Sequence, residues 1–345
     1  LVYGAPFQAL KAKYGMAKTG PEPRRIKGGD YNSRDNPPNM ILLSLLFALL
    51  VQYAYPPPVR NPVQALYGRL ALSVAKRFNA GDRNSGMAAW FVLAALVLVP
   101  FAIVTAVAAA LHPFVSWMLN VAVLFASLRF LETVGRLETV ERSLRSGSAA
   151  EASARLAEWR AEGPVAESAG DIVRLGVEQG VREAHYGTFA LILWFALLPG
   201  ALGVVLYQLA HRAARLWSEH GEPDERDFGW FAARAFAVLD WLPQRCTAFS
   251  FAIVGNFEDA LFNWRQQAAD WFSPDADIVL ASGVGALGIR PGETSSPEAG
   301  PANWTAPGAP DPADVETLAS LSGMLWRCLV LWLFAALILA AASLA

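Results

Sequence analysis

Residues 87–111 read MAAWFVLAALVLVPFAIVTAVAAAL, a run of 25 residues without a charged side chain. A helix of about 20 apolar residues crosses the hydrocarbon core of a bilayer, and it leaves no backbone group unpaired in lipid. The run therefore predicts a membrane-spanning helix. His112-Pro113 follows as a tight turn, and residues 114–130 run back as a second apolar segment. Arg129 is placed to snorkel toward the interface at the end of that segment. The two segments predict a hairpin in the membrane.

The composition agrees with this reading. Of the 345 residues, 54% are apolar and 17% charged, and the mean hydropathy is +0.31. Soluble domains carry about 25% charge. Net charge is −2 and pI about 6.2, so no basic field points to nucleic acid. Cys246 and Cys328, far apart in apolar surroundings, build neither a zinc site nor a disulfide framework by themselves. We expect an all-α, polytopic membrane protein with about five membrane segments and a cytoplasmic helical insertion.

Working outward, residues 1–39 differ from the rest. They hold four of the five lysines, are rich in Gly, Pro and Asn, and show no apolar periodicity. Our expectation is a disordered or non-native extension with Met40 as the start. The alternative is a genuine basic arm. Residues 40–131 form the first part of the membrane domain, beginning with the apolar run 40–55, where Tyr53 and Tyr55 suit an interface. Leu66, Leu70, Val74 and Phe78 recur every four residues and predict a short amphipathic helix. Five Lys/Arg against Asp82 in residues 56–86 place that segment in the cytoplasm by the positive-inside rule.

Residues 132–186 read as a soluble helical region. Glu132–Arg136, Glu138–Arg142, Glu141–Arg145 and Glu151–Arg155 are acid-then-base pairs one turn apart. Ser168 with Asp171 predicts a capping box. Residues 187–210 are uncharged and read as a further span, interrupted at Pro199-Gly200. One kinked helix and a re-entrant hairpin both fit. Residues 187–290 carry the membrane and amphipathic helices of the second half. Residues 291–314, with six prolines, read as a linker, and 321–345 as a final span.

Few residues offer chemistry. Asp240, Pro243 and Arg245 sit in an apolar, aromatic stretch, where a charge is paired or faces a cavity. Asp240 could meet Arg245 across Pro243 or bond Gln244, as a structural pair or as part of a polar site. The string GVGALG (283–288) is a literal G-x-G-x-x-G, and 278–280 before it could be a strand. Pro291-Gly292 follows too soon for the helix a nucleotide fingerprint needs. We read it as a Gly-rich turn lying close to another element. No two of His112, His185, His211 and His220 have metal-ligand spacing. His185 and His211, at the two ends of the 187–210 run, read as interfacial anchors.

These motifs together resemble the CobD/CbiB family. NPV (61–63) with GRL (68–70), the FALLPGALGVVLY stretch (195–207), FG (228–229) through DWLPQRCTA (240–248), and GALGIR (285–290) are similar to family motifs in the same order. The resemblance covers residues 40–320. It implies adenosylcobinamide-phosphate synthase activity: an amide bond between adenosylcobyric acid and aminopropanol or its phosphate. Corrinoid, the amine and the lipid bilayer are the implied partners, and the bacterial inner membrane, crossed several times, is the implied location. No cofactor is evident; ATP with magnesium enters if the synthase activity is retained.

Two central motifs depart from the family. Its Glu-Asn-x-Ser-Asp-Gly falls on REAHYG (182–187), where only the glycine matches, and its Asn-Thr-Leu-Asp-Ser-Met falls on HRAARL (211–216). LDWLP (239–243) with Arg245 also resembles AmpE, which implies a non-catalytic membrane sensor as the alternative. The expected site comprises Glu178 and Asp240 as catalytic groups and Arg245, Arg69, Gly285, Gly288 and Arg290 as binding groups, with no metal ligand.

Overall fold

The computed structural model describes residues 38–55, 62–160, 168–219, 226–267, 277–288 and 315–342. Among these, every regular element is helical. The proposed extension, the 291–314 linker and Arg290 fall outside the described residues.

Helix α1 spans Pro38–Ala54, α2 Pro62–Phe78 and α3 Arg83–Leu111. Asp82 caps α3 by accepting from the Ser85 N–H, and the helix runs through Pro100 without ending. The His112 side chain then accepts from the Phe114 N–H and starts α4, Pro113–Ser127. The expected turn is therefore in place. Helix α3 has a mean hydropathy of 2.7 over its best window, and only 11% of that window is buried inside the protein. Residues Phe91, Leu96, Val99 and Ile103 point outward, as a lipid-facing helix requires. Residues Pro113–Arg145 and α13, Glu316–Ala342, are also long and apolar enough to cross a membrane, and α1 is a shorter apolar helix. Tyr53 and Tyr55 lie exposed at the end of α1. Nearby, Gln52 donates to the carbonyls of Phe125 and Leu128, satisfying groups that the end of α4 leaves open.

The backbone breaks at Leu128-Arg129, and α5 follows at Phe130–Arg145. Arg129 does not snorkel outward. It turns into the protein, where Glu132 and Glu183 take its guanidinium at 3.0 and 2.8 Å. Two carboxylates hold the charge better than the interface would. Helices α5, α6 (Ala149–Arg160) and α7 (Ala169–Ala184) pack on Leu137, Leu156 and Ile172, all fully buried. Each such side chain contributes about 1.5–3 kcal/mol where water is the alternative. The pairs Glu132–Arg136, Glu141–Arg145 and Glu151–Arg155 form, and Ser168 caps α7 with the Asp171 N–H at 3.1 Å.

The 187–210 run does not make one span. A π-helical turn at His185–Phe189 leads into α8, Ala190–Leu197, and α9 runs from Leu202 to Glu219. Gly200 sits between them at φ +60, a left-handed conformation suited to glycine. Phe189, Leu191, Phe195 and Tyr207 are buried in protein rather than turned to lipid. At Gly203 a Cβ would lie 2.4 Å from the Trp194 carbonyl oxygen, so α8 and α9 approach at backbone distance.

Helix α10, Arg226–Val254, continues through Pro243. Then come α11, Phe257–Gln267, and α12, Ile278–Ala286. Residues 278–280 are therefore the first turn of a helix, capped by Asp277 accepting from the Leu280 N–H, and not a strand. The glycines serve packing. A Cβ on Gly285 would lie 2.4 Å from the Asp259 carbonyl oxygen, and Asn256 donates its N–H to Ala286 where the two helices meet.

Candidate functional site

Where α7 ends, the π turn widens the helix by one residue and sends two neighbours to different tasks. His185 turns inward. One ring nitrogen lies 2.9 Å from Asp240 and the other 2.9 Å from the Thr247 hydroxyl. The Asp240 carboxylate also accepts from Tyr207 at 2.6 Å and from Gln244 at 2.8 Å. His185, Tyr207, Asp240 and Thr247 are all 0–1% exposed. This is a closed polar network inside the core, tying the π turn to α9 and α10.

Tyr186 faces the other way, into a cavity of ≈ 290 Å³. Its walls come from α2 (Gln64, Tyr67), the α4–α5 break (Arg129), α7 (Gln179, Arg182, Glu183), the π turn (Tyr186, Gly187) and α9 (Gln208, His211, Arg212, Arg215). Gly187 lets the chain pass close to Arg129: an added Cβ would lie 3.2 Å from the Arg129 side chain, a tight contact, and the Gly187 carbonyl accepts the Arg129 N–H. Four arginines line the cavity against one carboxylate, Glu183, which Arg129 already holds. Arg182 is braced from behind by Asp277 at 2.9 Å and Glu178 at 3.7 Å. Burial works against its charge, but these carboxylates outweigh burial and leave Arg182 above its ordinary pKa. Arg212 donates to Gln64 at 2.8 Å. His211 stacks between Tyr186 and Phe236, with ring centroids at 4.5 and 5.0 Å. The arrangement is a positive, aromatic-walled pocket, which suits a small anion such as a phosphate or carboxylate.

The expected site residues divide. Glu178 is buried and braces Arg174 and Arg182. Asp240 lies in the closed network, and its partners are His185, Tyr207 and Gln244 rather than Arg245. Arg245 instead donates to the Trp241 carbonyl and lies over the Trp241 ring at 4.1 Å. Arg69 is exposed on α2. Gly285 is a packing glycine, and Gly288 adopts φ +78 just past α12. None of these lines the cavity. His185 and His211 are not interfacial anchors, because each is held by specific partners inside the protein.

Reading single residues missed Arg129, Arg182, Tyr186, His211, Arg212 and Arg215. The signal was present in the alignment of motifs. The two stretches that depart from the family, 182–187 and 211–216, supply seven of the cavity's lining residues. Among the described residues no group of three or more His, Cys, Asp or Glu could hold a metal ion. A magnesium ion takes free carboxylates together with phosphates and water. The cavity's own carboxylate is committed to Arg129, so the residues lining it do not fit that ion.

The CobD/Cbib protein family matches residues 45–342. The cobalamin biosynthesis protein CobD of Stutzerimonas stutzeri (strain A1501) is 31% identical over 253 residues, covering 72% of this chain and 81% of the relative. CobD of Chromobacterium violaceum is 34% identical over 201 residues, covering 57% and 62%. The cobalamin biosynthesis protein CbiB of Salmonella paratyphi B is 26% identical over 250 residues, covering 69% and 76%. These relatives give no support to the AmpE-like alternative. No solved structure matches the chain significantly. The chain belongs to the CobD/CbiB family.

Proposed function

We propose that this protein is an adenosylcobinamide-phosphate synthase of cobalamin biosynthesis, crossing the bacterial inner membrane several times. It would join the carboxyl of adenosylcobyric acid to the amine of aminopropanol phosphate. Family membership supports the pathway, and the arginine-lined cavity at the positions of the two central family motifs carries the reading of the site. A cavity of ≈ 290 Å³ lies at the lower end of small-molecule sites, so it suits the small amine and not the corrin ring. Guanidinium groups favour the phosphorylated amine over the free alcohol, because a phosphate dianion accepts paired, charge-assisted hydrogen bonds. Holding the amine there, beside a corrin carboxyl at the cavity mouth, turns a two-body encounter into a positioned reaction. The positive-inside reading of residues 56–86 supports a cytoplasmic side for Gln64 and Tyr67, and with them for the cavity.

Complementation tests this. The full chain is expressed in a bacterium lacking its own adenosylcobinamide-phosphate synthase, supplied with cobyric acid, and scored for cobalamin-dependent growth. Growth is expected. No growth, with the protein confirmed in the membrane, overturns the proposal.

A further inference from the structure

We infer that Glu183 recognises the amine end of the substrate and so fixes which way round it lies in this cavity. The inference rests on the synthase reading above and adds a residue role to it. Aminopropanol phosphate is charged at both ends. An alkylammonium such as lysine has a pKa of about 10.4, so the amine arrives at neutral pH as a cation, close to the phosphate dianion of the same small molecule. A cavity lined by cations alone would hold one end and repel the other.

The lining residues are not all of one sign. Arg212 and Arg215 come from α9, and no lining carboxylate does. The one lining carboxylate, Glu183, comes from α7, a turn after Gln179. Position 183 falls where the family motif has Asn, so this negative charge belongs to this chain's own version of the site. The other lining arginines are answered inside the protein: Arg129 by Glu132 and Glu183, and Arg182 by Asp277 and Glu178. The α9 wall therefore offers positive charge, and the α7 wall adds a carboxylate.

The geometry leaves Glu183 able to take a second cation. Arg129 reaches it through one nitrogen, Nη1 to Oε1 at 2.8 Å. The Nε and Nη2 of Arg129 are held by the two Glu132 oxygens at 3.0 and 3.2 Å, a paired contact that stands without Glu183. Among the described residues the other Glu183 oxygen, Oε2, accepts only from the Gln179 amide, at a long 3.4 Å. A carboxylate offers about four lone-pair sites, so Oε2 can accept from an ammonium while Oε1 keeps Arg129. A single oxygen meets that need, whereas magnesium asks for several. The Glu183 side chain is 15% exposed: shielded enough for its charge to count and open enough to be reached. Arg212 and Arg215 then receive the phosphate through charge-assisted hydrogen bonds. The role is recognition and placement of the ammonium form, not removal of its proton.

The test is calorimetric binding of two probes to the detergent-solubilised full chain: aminopropanol phosphate, and isopropyl phosphate, which has the same carbon skeleton and phosphate without the amine. Wild type is expected to bind the amine-bearing probe about tenfold more tightly, the worth of one hydrogen bond to a charged group. Glu183→Gln should bring the two probes to within about threefold of each other, with isopropyl phosphate bound no more weakly than by wild type. Glu132 is the other partner of Arg129 and does not line the cavity, so Glu132→Gln should keep the preference. Equal binding of the two probes by wild type overturns the inference while leaving the anion site standing, and this outcome needs no variant to fold. An E183Q chain that keeps the preference overturns it too. So does an E132Q chain that loses the preference, for the effect then runs through Arg129. Wild-type protein that binds neither phosphate overturns the synthase reading of the cavity, and this role with it.

Discussion

Replacing Asp240 by alanine separates a structural carboxylate from a catalytic one. The side chain accepts three hydrogen bonds: from Tyr207 at 2.6 Å, His185 at 2.9 Å and Gln244 at 2.8 Å. Tyr207 and His185 are each 1% exposed, so no water replaces the lost acceptor. A buried donor left without a partner costs about 1–3 kcal/mol. Gln244 is only half-buried and can turn toward water. The two orphaned donors therefore give about 4 kcal/mol for Asp240→Ala. At roughly 2–4 °C per kcal/mol, the Tm should fall by about 10 °C. Asp240→Asn keeps one oxygen for Tyr207 and lets the Gln244 amide flip, so its cost should be nearer 1–2 kcal/mol. Thermal denaturation of the solubilised chain, followed by circular dichroism, measures both. Turnover well below either Tm should survive in D240N. An alanine variant melting within about 2 °C of wild type refutes the network as a stabilising element. Unchanged melting with turnover abolished in both variants would make Asp240 a catalytic group.

Gly285→Ala should destabilise the protein by about 1–3 kcal/mol, read as a lowered Tm, because its Cβ would collide with the Asp259 carbonyl at 2.4 Å. Gly135→Ala is the matched control: nothing lies within 4 Å of the added Cβ at this exposed position of α5, so helix propensity should leave stability unchanged or raised by up to about 1 kcal/mol. Arg215→Ala should weaken aminopropanol phosphate binding about tenfold by calorimetry while leaving Tm within a few degrees, since Arg215 lines the cavity at the end of α9. Asp227→Ala should change stability by less than about 1 kcal/mol, because the Arg83–Asp227 pair is more than half exposed on both sides.

What the sequence revealed depended on how local the signal was. The 87–111 run, the His112-Pro113 turn and the Ser168 cap need only neighbours in the chain, and each is where the sequence put it. The 187–210 run was legible in its break at Pro199-Gly200 but not in its surroundings, because an apolar residue buried in protein looks the same in sequence as one buried in lipid. Only contacts with other helices distinguish the two, and Phe189 and Phe195 have them. Arg129 misled for a related reason. Glu132 is three residues away, but Glu183 comes from a different helix, and it is this second carboxylate that draws the charge inward. The cavity was the least legible part, because its walls come from four separate stretches and no stretch holds a recognisable motif of its own.

The departures from the family's central motifs look at first like the decay of a site, and the structure argues against decay. A buried charge that loses its purpose is left uncompensated and costs several kcal/mol. Here the exchanged residues at 182, 183, 185, 186 and 211 have answering partners. Arg182, where the family has Glu, is met by Asp277 and Glu178. Glu183, where the family has Asn, is met by Arg129. His185, where the family has Ser, bridges Asp240 and Thr247. Tyr186, where the family has Asp, stacks on His211, where the family has Asn. Partners lying on α9, on α10, at the start of α12 and on the α4–α5 break do not arise from relaxed drift at one motif, because each exchange alone would strand a polar or charged group in the interior. The exchanges make sense as a set, and the set still encloses a cavity with arginines turned toward it.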